Sequence, residues 1–255
     1  MAEQSIVSRH RWGMVVDVDR CTGCQACVVA CQAENNIPTN TEETYLQHRA
    51  HEWIRVERYW VGEYPDIKAR FLPVLCQQCA NAPCEPVCPV YATHRSDDGL
   101  NTQVYNRCVG TRYCGNNCPW HVRFFNFAQP EWSEPLHNQL NSDVTVRFRG
   151  IMEKCTFCVQ RIRRAERIAK REGRALRDLE FQPACAQACP PDVLVFGDLN
   201  DQNSRVSQLA RDPRGYLLLG ELGTEPSITY LKKVDPFPPQ TKEAPEPHTP
   251  NERTR

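Results

Sequence analysis

The chain has 255 residues, 40% of them hydrophobic, and its 31 lysines and arginines balance 31 aspartates and glutamates. This size permits one large domain or two small ones, and the balanced charge gives no argument for nucleic acid or an acidic substrate as a partner. No run approaches the roughly eighteen consecutive apolar residues of a transmembrane helix, so we do not expect the chain to span a membrane.

The N-terminal segment contains Arg9, His10 and Arg11 but no apolar core of the kind that a secretory leader has. We therefore expect a chain that is either cytoplasmic or exported with a partner. Residues 14–18 are apolar enough to predict a strand that leads into the first cysteines.

Fifteen cysteines follow in four runs. The first, CTGCQACVVAC, has the bacterial ferredoxin spacing, and the second, CQQCANAPCEPVCP, widens its middle gap. The third, CVGTRYCGNNCP, has Thr111 where that spacing puts the second ligand. A long basic insertion splits the fourth. The runs contain, in order, Cys21, Cys24, Cys27 and Cys31; Cys76, Cys79, Cys84 and Cys88; Cys108, Cys114 and Cys118; and Cys155, Cys158, Cys185 and Cys189.

This spacing favours iron-sulfur clusters over the alternatives. A disulfide scaffold is usually a short secreted chain with an even cysteine count, and structural zinc uses separated cysteine pairs rather than such dense runs. Clusters of purely structural or regulatory purpose stay an alternative. The hydroxyl of Thr111 is a poor iron ligand, which predicts a three-iron cluster there; alternatively, another side chain or hydroxide completes a four-iron cube.

Residues 12–232 resemble the four-cluster electron-transfer subunits of the complex iron-sulfur molybdoenzyme superfamily. The resemblance rests on the four runs in order, on RWGMVVDVDRCTGC, on VFGDLND and on LLLGELGTEPSITYL. The segment CVGTRYCGNNCPWHVRFFNF is most similar to the iron-sulfur part of alternative complex III and of menaquinone reductase (Qrc). In both, this threonine occurs and the site holds a three-iron cluster.

The resemblance implies that the first run pairs with the fourth and the second with the third, which gives four ligand sets. Three sets would hold 4Fe-4S clusters, and the fourth, with Thr111 at its vacant position, a 3Fe-4S cluster. The first set is Cys21, Cys24, Cys27 and Cys189; the second is Cys155, Cys158, Cys185 and Cys31; the third is Cys76, Cys79, Cys84 and Cys118; the fourth is Cys108, Cys114 and Cys88.

We therefore expect a loop-rich α+β fold of two nested ferredoxin-like units, each with two clusters. Residues 1–70 and 150–234 would form a discontinuous unit, and residues 71–149 an inserted one. Residues 235–255, with six prolines, predict an extended tail. Residues 144–148 alternate as a strand does, and residues 159–180 predict a basic helix that breaks near Gly173, either solvated or docked on an acidic partner or anionic lipid.

Aromatic residues and two histidines accompany the middle runs. We expect the aromatic side chains to pack around the cluster of the third run or, alternatively, to contact a membrane subunit. Either histidine is an ordinary structural residue or one that modulates a potential or passes protons. These residues are Trp120, Phe124, Phe125 and Phe127, with His94 and His121.

No substrate pocket, glycine-rich nucleotide loop or nucleophile-base pair is evident, so the chain is expected to be a non-catalytic electron-transfer subunit. The resemblance implies three partners: a molybdopterin-oxidoreductase-like large subunit, an integral membrane quinone-binding subunit of the polysulfide-reductase type, and a multihaem cytochrome c. It implies the periplasmic face of the inner membrane, with the cytoplasmic face as the alternative. Rival functions are the iron-sulfur subunit of a molybdenum-dependent sulfur-compound reductase or of alternative complex III.

Overall fold

The computed structural model describes residues 10–234, so the predicted tail lies outside the described residues. Short helices and strands alternate with long loops, in agreement with the predicted α+β character. The elements are β1 (Trp12–Asp17), α1 (Ala26–Glu34), α2 (Glu42–Leu46), β2 (Ile54–Val61), β3 (Lys68–Leu75), β4 (Thr93–Arg95), β5 (Asn101–Gln103), α3 (Tyr113–Asn116), β6 (Arg123–Phe125), β7 (Met152–Lys154), α4 (Val159–Arg171), α5 (Ala184–Gln187), β8 (Leu194–Asp198), α6 (Arg205–Leu209), β9 (Gly215–Tyr216) and β10 (Ile228–Leu231).

A four-stranded sheet of order β8-β1-β10-β9 brings together the two ends of the described chain. Strand β1 pairs antiparallel with β8 and parallel with β10, so that Met14 lies between Phe196 and Ile228. Both faces of β1 are buried: Met14 faces the main core, while Val15 packs in a smaller cluster with Val206 of α6. This confirms the predicted strand, which ends one residue earlier, at Asp17.

A long hairpin of β2 and β3 precedes the second cysteine run. Its base is in the core, where Ile54 pairs with Leu75 and both side chains are buried. Its far end is exposed, with Trp60 at 64% and Tyr64 at 89% of full exposure. Two further ribbons, β4–β5 and β6–β7, flank the middle runs. Because β3 ends in the core at Leu75, the second cysteine run begins in the core, at Cys76.

The predicted strand at residues 144–148 is wrong, because this segment is irregular and the strand here is β7. The alternating apolar residues do not face the core: Phe148 is 46% exposed, whereas Arg147 is buried. The Arg147 guanidinium donates to the carbonyl of Thr145 and to the carboxylate of Glu153. The carbonyl of Thr145 is thus bound by the buried arginine rather than by a neighbouring strand.

Helix α4 confirms the predicted basic helix and its break. The helix ends at Arg171, and Gly173 beyond it has φ +65°, a left-handed conformation that glycine adopts readily. Its apolar side is buried through Ile162, Ala165 and Ala169. Within residues 10–234, no helix has the length and apolar character needed to cross a membrane.

Candidate metal-cluster site

All fifteen cysteines are free of disulfides, and the structure brings together the members of each implied set. Cys21, Cys24, Cys27 and Cys189 line one small cavity between the first run and the end of the fourth. Burial raises the pKa of Cys27 to about 12, and the nearby Cys189 and Cys21 thiolates add to the shift. The cluster-ligand role of this first set stays a prediction, since the geometry establishes only proximity.

The second set joins the last cysteine of the first run to the fourth run. Burial raises the pKa of Cys31 well above the ordinary thiol value, and the charges of Cys155, Cys158 and Cys185 raise it further. The amide of Asn35 lies between two of these sulfurs, with Nδ2 3.5 Å from Sγ of Cys31 and 3.7 Å from Sγ of Cys158. The four sulfurs therefore share one buried location.

The third set lies within the middle of the chain. Burial raises the pKa of Cys79 to about 12, with contributions from Cys76, Cys84 and Cys118, while Thr224 acts in the opposite direction. Burial likewise raises the pKa of Cys84 to about 11, although positive charges nearby reduce this shift. Each thiolate is disfavoured beside its neighbours unless a cation lies among them.

The fourth set has three cysteines and Thr111 around a second small cavity, together with Gly110. Burial would raise the pKa of Cys88, but the backbone N–H groups of Val90, Thr93 and Ala92 lower it below the ordinary value. The N–H of Met152 lies 3.4 Å from Sγ of Cys108. Thr111 thus lies in the wall where the ferredoxin spacing would put a cysteine.

Three of the four runs end in the same backbone turn, started by the proline after the last cysteine. The residue three positions after that cysteine has a positive φ and donates its N–H to the cysteine carbonyl. The next N–H points to the cysteine sulfur. The positive-φ residues are Tyr91 (51°), His121 (49°) and Asp192 (54°), after Cys88, Cys118 and Cys189. Each turn supplies a hydrogen bond to a candidate ligand sulfur.

The first run lacks this proline and uses a side chain instead. Helix α1 continues past Cys31 to Glu34, and Asn35 then donates its amide to the Cys31 sulfur. Asn35 is buried and also donates to the Cys31 carbonyl. Sequence reasoning missed Asn35. Its signal is position: it stands four residues after the cysteine, where the other runs place a donating backbone N–H.

Two buried cations next to the third set were also missed. Nζ of Lys154 lies 3.4 Å from Sγ of Cys76, and Nη1 of Arg123 lies 3.5 Å from Sγ of Cys84. Lys154 immediately precedes Cys155 and Arg123 begins β6. No local pattern marks either residue as a sulfur donor, because the contacts join distant parts of the chain.

Neighbouring sets lie close enough for their charges to interact. The charge of Cys27 in the first set raises the pKa of Cys185 in the second. The charge of Cys76 in the third set likewise raises the pKa of Cys155 in the second. Arg123 interacts with sulfurs of both the third and fourth sets. The first set is therefore a neighbour of the second, the second of the third, and the third of the fourth.

The donor chemistry fits iron-sulfur clusters. Among residues 10–234, no three His, Cys, Asp or Glu side chains converge as the ligands of one metal ion do. Cysteines instead surround small cavities and receive N–H donors, which are the features that cluster ligation requires. The clusters would supply one-electron transfer at these positions.

The aromatic residues after the third run divide between two surroundings. Phe125 lies next to Gly110 of the third run and packs edge-on against Phe127. Arg112 stacks over both rings. Phe124 instead faces His51.

The two singled-out histidines lie in different places. The ring of His94 stacks on Tyr91 with centroids 5.2 Å apart. His121 forms the closing turn after Cys118, and its carbonyl accepts from Arg55. A proton-passing or potential-modulating role for either stays a prediction.

Known proteins resemble the chain both in parts and along most of its length. Residues 12–33 match the 4Fe-4S binding domain family and residues 67–134 the 4Fe-4S dicluster domain family. With the four cysteine sets, these matches define a ferredoxin-type electron-transfer protein. The chain belongs to the iron-sulfur subunits of the complex iron-sulfur molybdoenzyme superfamily, as its full-length relatives show.

Three relatives illustrate this membership. The chain is 43% identical over 228 residues to the iron-sulfur cluster-binding subunit of menaquinone reductase from Nitratidesulfovibrio vulgaris, covering 88% of this chain and 89% of that protein. It is 36% identical over 248 residues to Hdr-like menaquinol oxidoreductase iron-sulfur subunit 1 from Archaeoglobus fulgidus (90% and 86% covered). It is 33% identical over 231 residues to a subunit of tetrathionate reductase from Salmonella typhimurium (90% and 75% covered).

Proposed function

We propose that the first three sets hold 4Fe-4S clusters and that the fourth holds a 3Fe-4S cluster. The observation that carries this proposal is the cavity that Thr111 lines together with Cys88, Cys108 and Cys114. Three thiolates can hold three irons, whereas the neutral threonine hydroxyl is a weak ligand for a fourth. A three-iron cluster generally has a potential toward the upper part of the iron-sulfur range, which suits exchange with a quinone.

The two nested ferredoxin-like units are part of the same proposal. The third and fourth sets come entirely from residues 76–118, within the inserted unit at 71–149. The first and second sets combine the first and fourth runs, and the pairing of β1 with β8 and β10 supports a unit made from residues 1–70 and 150–234. Each unit then contributes two clusters to one row.

The row of clusters would relay electrons between a soluble donor side and menaquinone. The first set faces a molybdopterin-oxidoreductase-like large subunit, with a multihaem cytochrome c in the complex, and the fourth set faces an integral membrane quinone-binding subunit. The 43% sequence identity to the iron-sulfur subunit of a menaquinone reductase supports this arrangement. So do exposed apolar side chains next to the fourth set, namely Val90, Tyr91, Val109 and Tyr113.

In a second candidate function, electrons run in the opposite direction, from quinol in the membrane to the large subunit. The similarity to the tetrathionate reductase subunit favours an iron-sulfur subunit of a molybdenum-dependent sulfur-compound reductase, in which quinol is the donor. The similarity to a subunit of a menaquinol oxidoreductase also favours quinol as the electron donor. The cluster row serves either direction, so the measured reaction of the purified complex with quinol and with reduced cytochrome distinguishes them.

For its location, we propose the periplasmic face of the inner membrane, with peripheral attachment and export together with a partner. The cytoplasmic face is the alternative. Protease digestion of spheroplasts, followed by immunoblotting for this chain, tests the location: degradation supports the periplasmic face, and protection until lysis supports the cytoplasmic one.

The decisive experiment combines iron analysis with electron paramagnetic resonance of the oxidised protein. About fifteen irons per chain, three cubes of four plus three, with a three-iron signal are expected. In Thr111→Cys, iron should rise to about sixteen, the oxidised signal should vanish and the potential should fall. Sixteen irons without an oxidised signal in the unaltered chain would contradict the three-iron assignment.

Rapid reduction tests the relay itself. The clusters in the purified complex should be reduced within the turnover time by menaquinol or by reduced cytochrome. A structural or regulatory iron-sulfur protein would leave them out of exchange with both donors.

A further inference from the structure

Lys154 is a fully buried lysine whose side chain contacts a cysteine sulfur. Its Nζ donates to Sγ of Cys76 at 3.4 Å and to the carbonyl of Cys155 at 2.8 Å. Among the described residues it forms no ion pair with an acidic side chain. Its hydrogen bond to sulfur goes to the third set, through Cys76, and its charge also acts on Cys84 of that set and on Cys155 of the second.

Arg123 approaches the third set at a different cysteine and is also buried. Its Nη1 lies 3.5 Å from Sγ of Cys84 and 3.2 Å from Oδ1 of Asn101. Its Nη2 donates to the neutral oxygens of Thr93 and Gln103. Within residues 10–234, Arg123 too lacks an ion pair with a carboxylate.

A buried cation without a counter-ion is costly, so its partner has to be sought among the groups present. Two other buried or half-buried arginines have carboxylate partners: Arg147 contacts Glu153 at 2.8 Å, and Arg161 contacts Glu34 at 2.7 Å. Lys154 and Arg123 have thiolates instead. The set that both residues contact is the third, and a cluster bound there would carry net negative charge. Arg123 also interacts with Cys114 of the fourth set.

The first and second sets have weaker donors. Sulfurs of the second set accept from the neutral amide of Asn35 and from the N–H groups of Ala184 and Phe157. In the first set, Cys189 accepts from the N–H of Val193. In the described part of the chain, both cationic donors contact the third set, and Arg123 is shared with Cys114 of the fourth.

We propose that Lys154 and Arg123 raise the reduction potential of the third centre above those of the first and second centres, so that among the three four-iron centres the electron rests preferentially on the third. The inference rests on the proposed function, because it requires a cluster in each set. Positive charge and N–H donors next to the sulfurs stabilise the reduced, more negative state, which raises the potential. Neither residue is a cluster ligand; both act on the third centre through their positive charge.

The test is potentiometric titration of the purified complex, followed by electron paramagnetic resonance. Lys154→Met and Arg123→Met should each lower the midpoint of the same four-iron centre, and the double variant should lower it further. Lys154→Arg and Arg123→Lys, which keep the charge, should restore most of the shift. Lys154→Gln, which keeps a donor without the charge, should behave more like Lys154→Met.

Arg174→Gln is the control, since Arg174 pairs with Glu172 and Glu180 at the surface and donates to no cysteine sulfur. Iron content verifies that each variant is loaded; if Lys154→Met loses the centre, Lys154→Gln provides the comparison. An unchanged midpoint of the shared four-iron centre in loaded variants, or a larger shift in any other centre, overturns the inference alone. Absence of iron from the unaltered chain overturns the proposed function itself.

Discussion

Arg161 and Glu34 form a two-point ion pair that joins α4 to the end of α1. Nη2 of Arg161 lies 2.7 Å from Oε2 of Glu34, and its Nε lies 2.9 Å from Oε1. The same guanidinium donates to the carbonyl of Gln182, just before α5. One side chain therefore ties together the three segments that carry the second cysteine set.

Glu34→Gln tests this ion pair and its pH dependence. Burial alone would raise the pKa of Glu34, but hydrogen bonds from Arg161 and Gln160 lower it. Both side chains keep some contact with solvent, which limits the loss at neutral pH to about 1 kcal/mol. Because the folded pKa lies below the unfolded value of about 4.3, the contribution is complete above that pH and disappears as the pH falls through the folded pKa.

Urea unfolding along a pH series from 7 down into the acid range below the unfolded pKa of about 4.3, followed by circular dichroism, checks this expectation. The unaltered chain and Glu34→Gln should differ at pH 7 and converge in acid. A difference that is the same at every pH would show that the ionised pair is not its source.

The buried pair of Arg147 and Glu153 should be more sensitive. Burial alone would raise the pKa of Glu153, but His51 and the charge of Arg147 lower it to about 2. Arg147→Met leaves this carboxylate without its cation and should cost about 3–5 kcal/mol in unfolding free energy. The double variant with Glu153→Gln should recover part of the loss, measured by urea unfolding. Equal stability of the single variant and the unaltered chain would contradict the pairing.

Gly110 should be indispensable for the fourth set. It has φ +75°, and a Cβ there would collide with the carbonyl oxygen of Gly150. Gly110→Ala should therefore remove the fourth centre, with a loss of about three irons per chain and of the three-iron signal.

Gly150 offers a matched control in the same contact. It has φ +90°, but a Cβ there meets nothing within 4 Å. Gly150→Ala should cost only the conformational strain of about 1 kcal/mol and keep the centre. If both variants lose iron equally, the collision at Gly110 is not the reason.

The exposed apolar side chains beside the fourth set should be required for quinone-linked transfer. Val109 is 63% and Tyr113 58% exposed. Val109→Asp with Tyr113→Glu should weaken binding to the membrane subunit and slow reduction by menaquinol at least tenfold, while the iron content stays unchanged. Leu46→Glu changes an exposed apolar residue elsewhere and should have no effect. Unaltered reduction in the double variant would place the contact on another surface.

The sequence predicted those features of the fold that depend on residues close together in the chain. Cysteine spacing indicated the runs, and the apolar residues before Cys21 predicted β1. The strand expected at residues 144–148 failed because alternation cannot reveal that Arg147, rather than Val146 or Phe148, faces inward.

The cationic residues that contact the cysteine sulfurs could not be predicted from sequence motifs. Arg123 contacts a sulfur 39 residues away in sequence, and Lys154 one that is 78 residues away. Such contacts depend on how the ribbons pack, and no spacing rule describes them. Asn35 was closer to prediction, since it lies four residues after Cys31, within one turn of the helix end.

The pairing of β1 with β8 and β10 has a consequence for biosynthesis. Cys185 and Cys189 appear only late in translation, and the two strands that pair with β1 follow them, so the second and first sets cannot close until most of the described chain has left the ribosome. The third and fourth sets need nothing beyond Cys118 for their cysteines. Iron insertion should therefore proceed from the middle of the chain outward, with the row completed last at its first-set end.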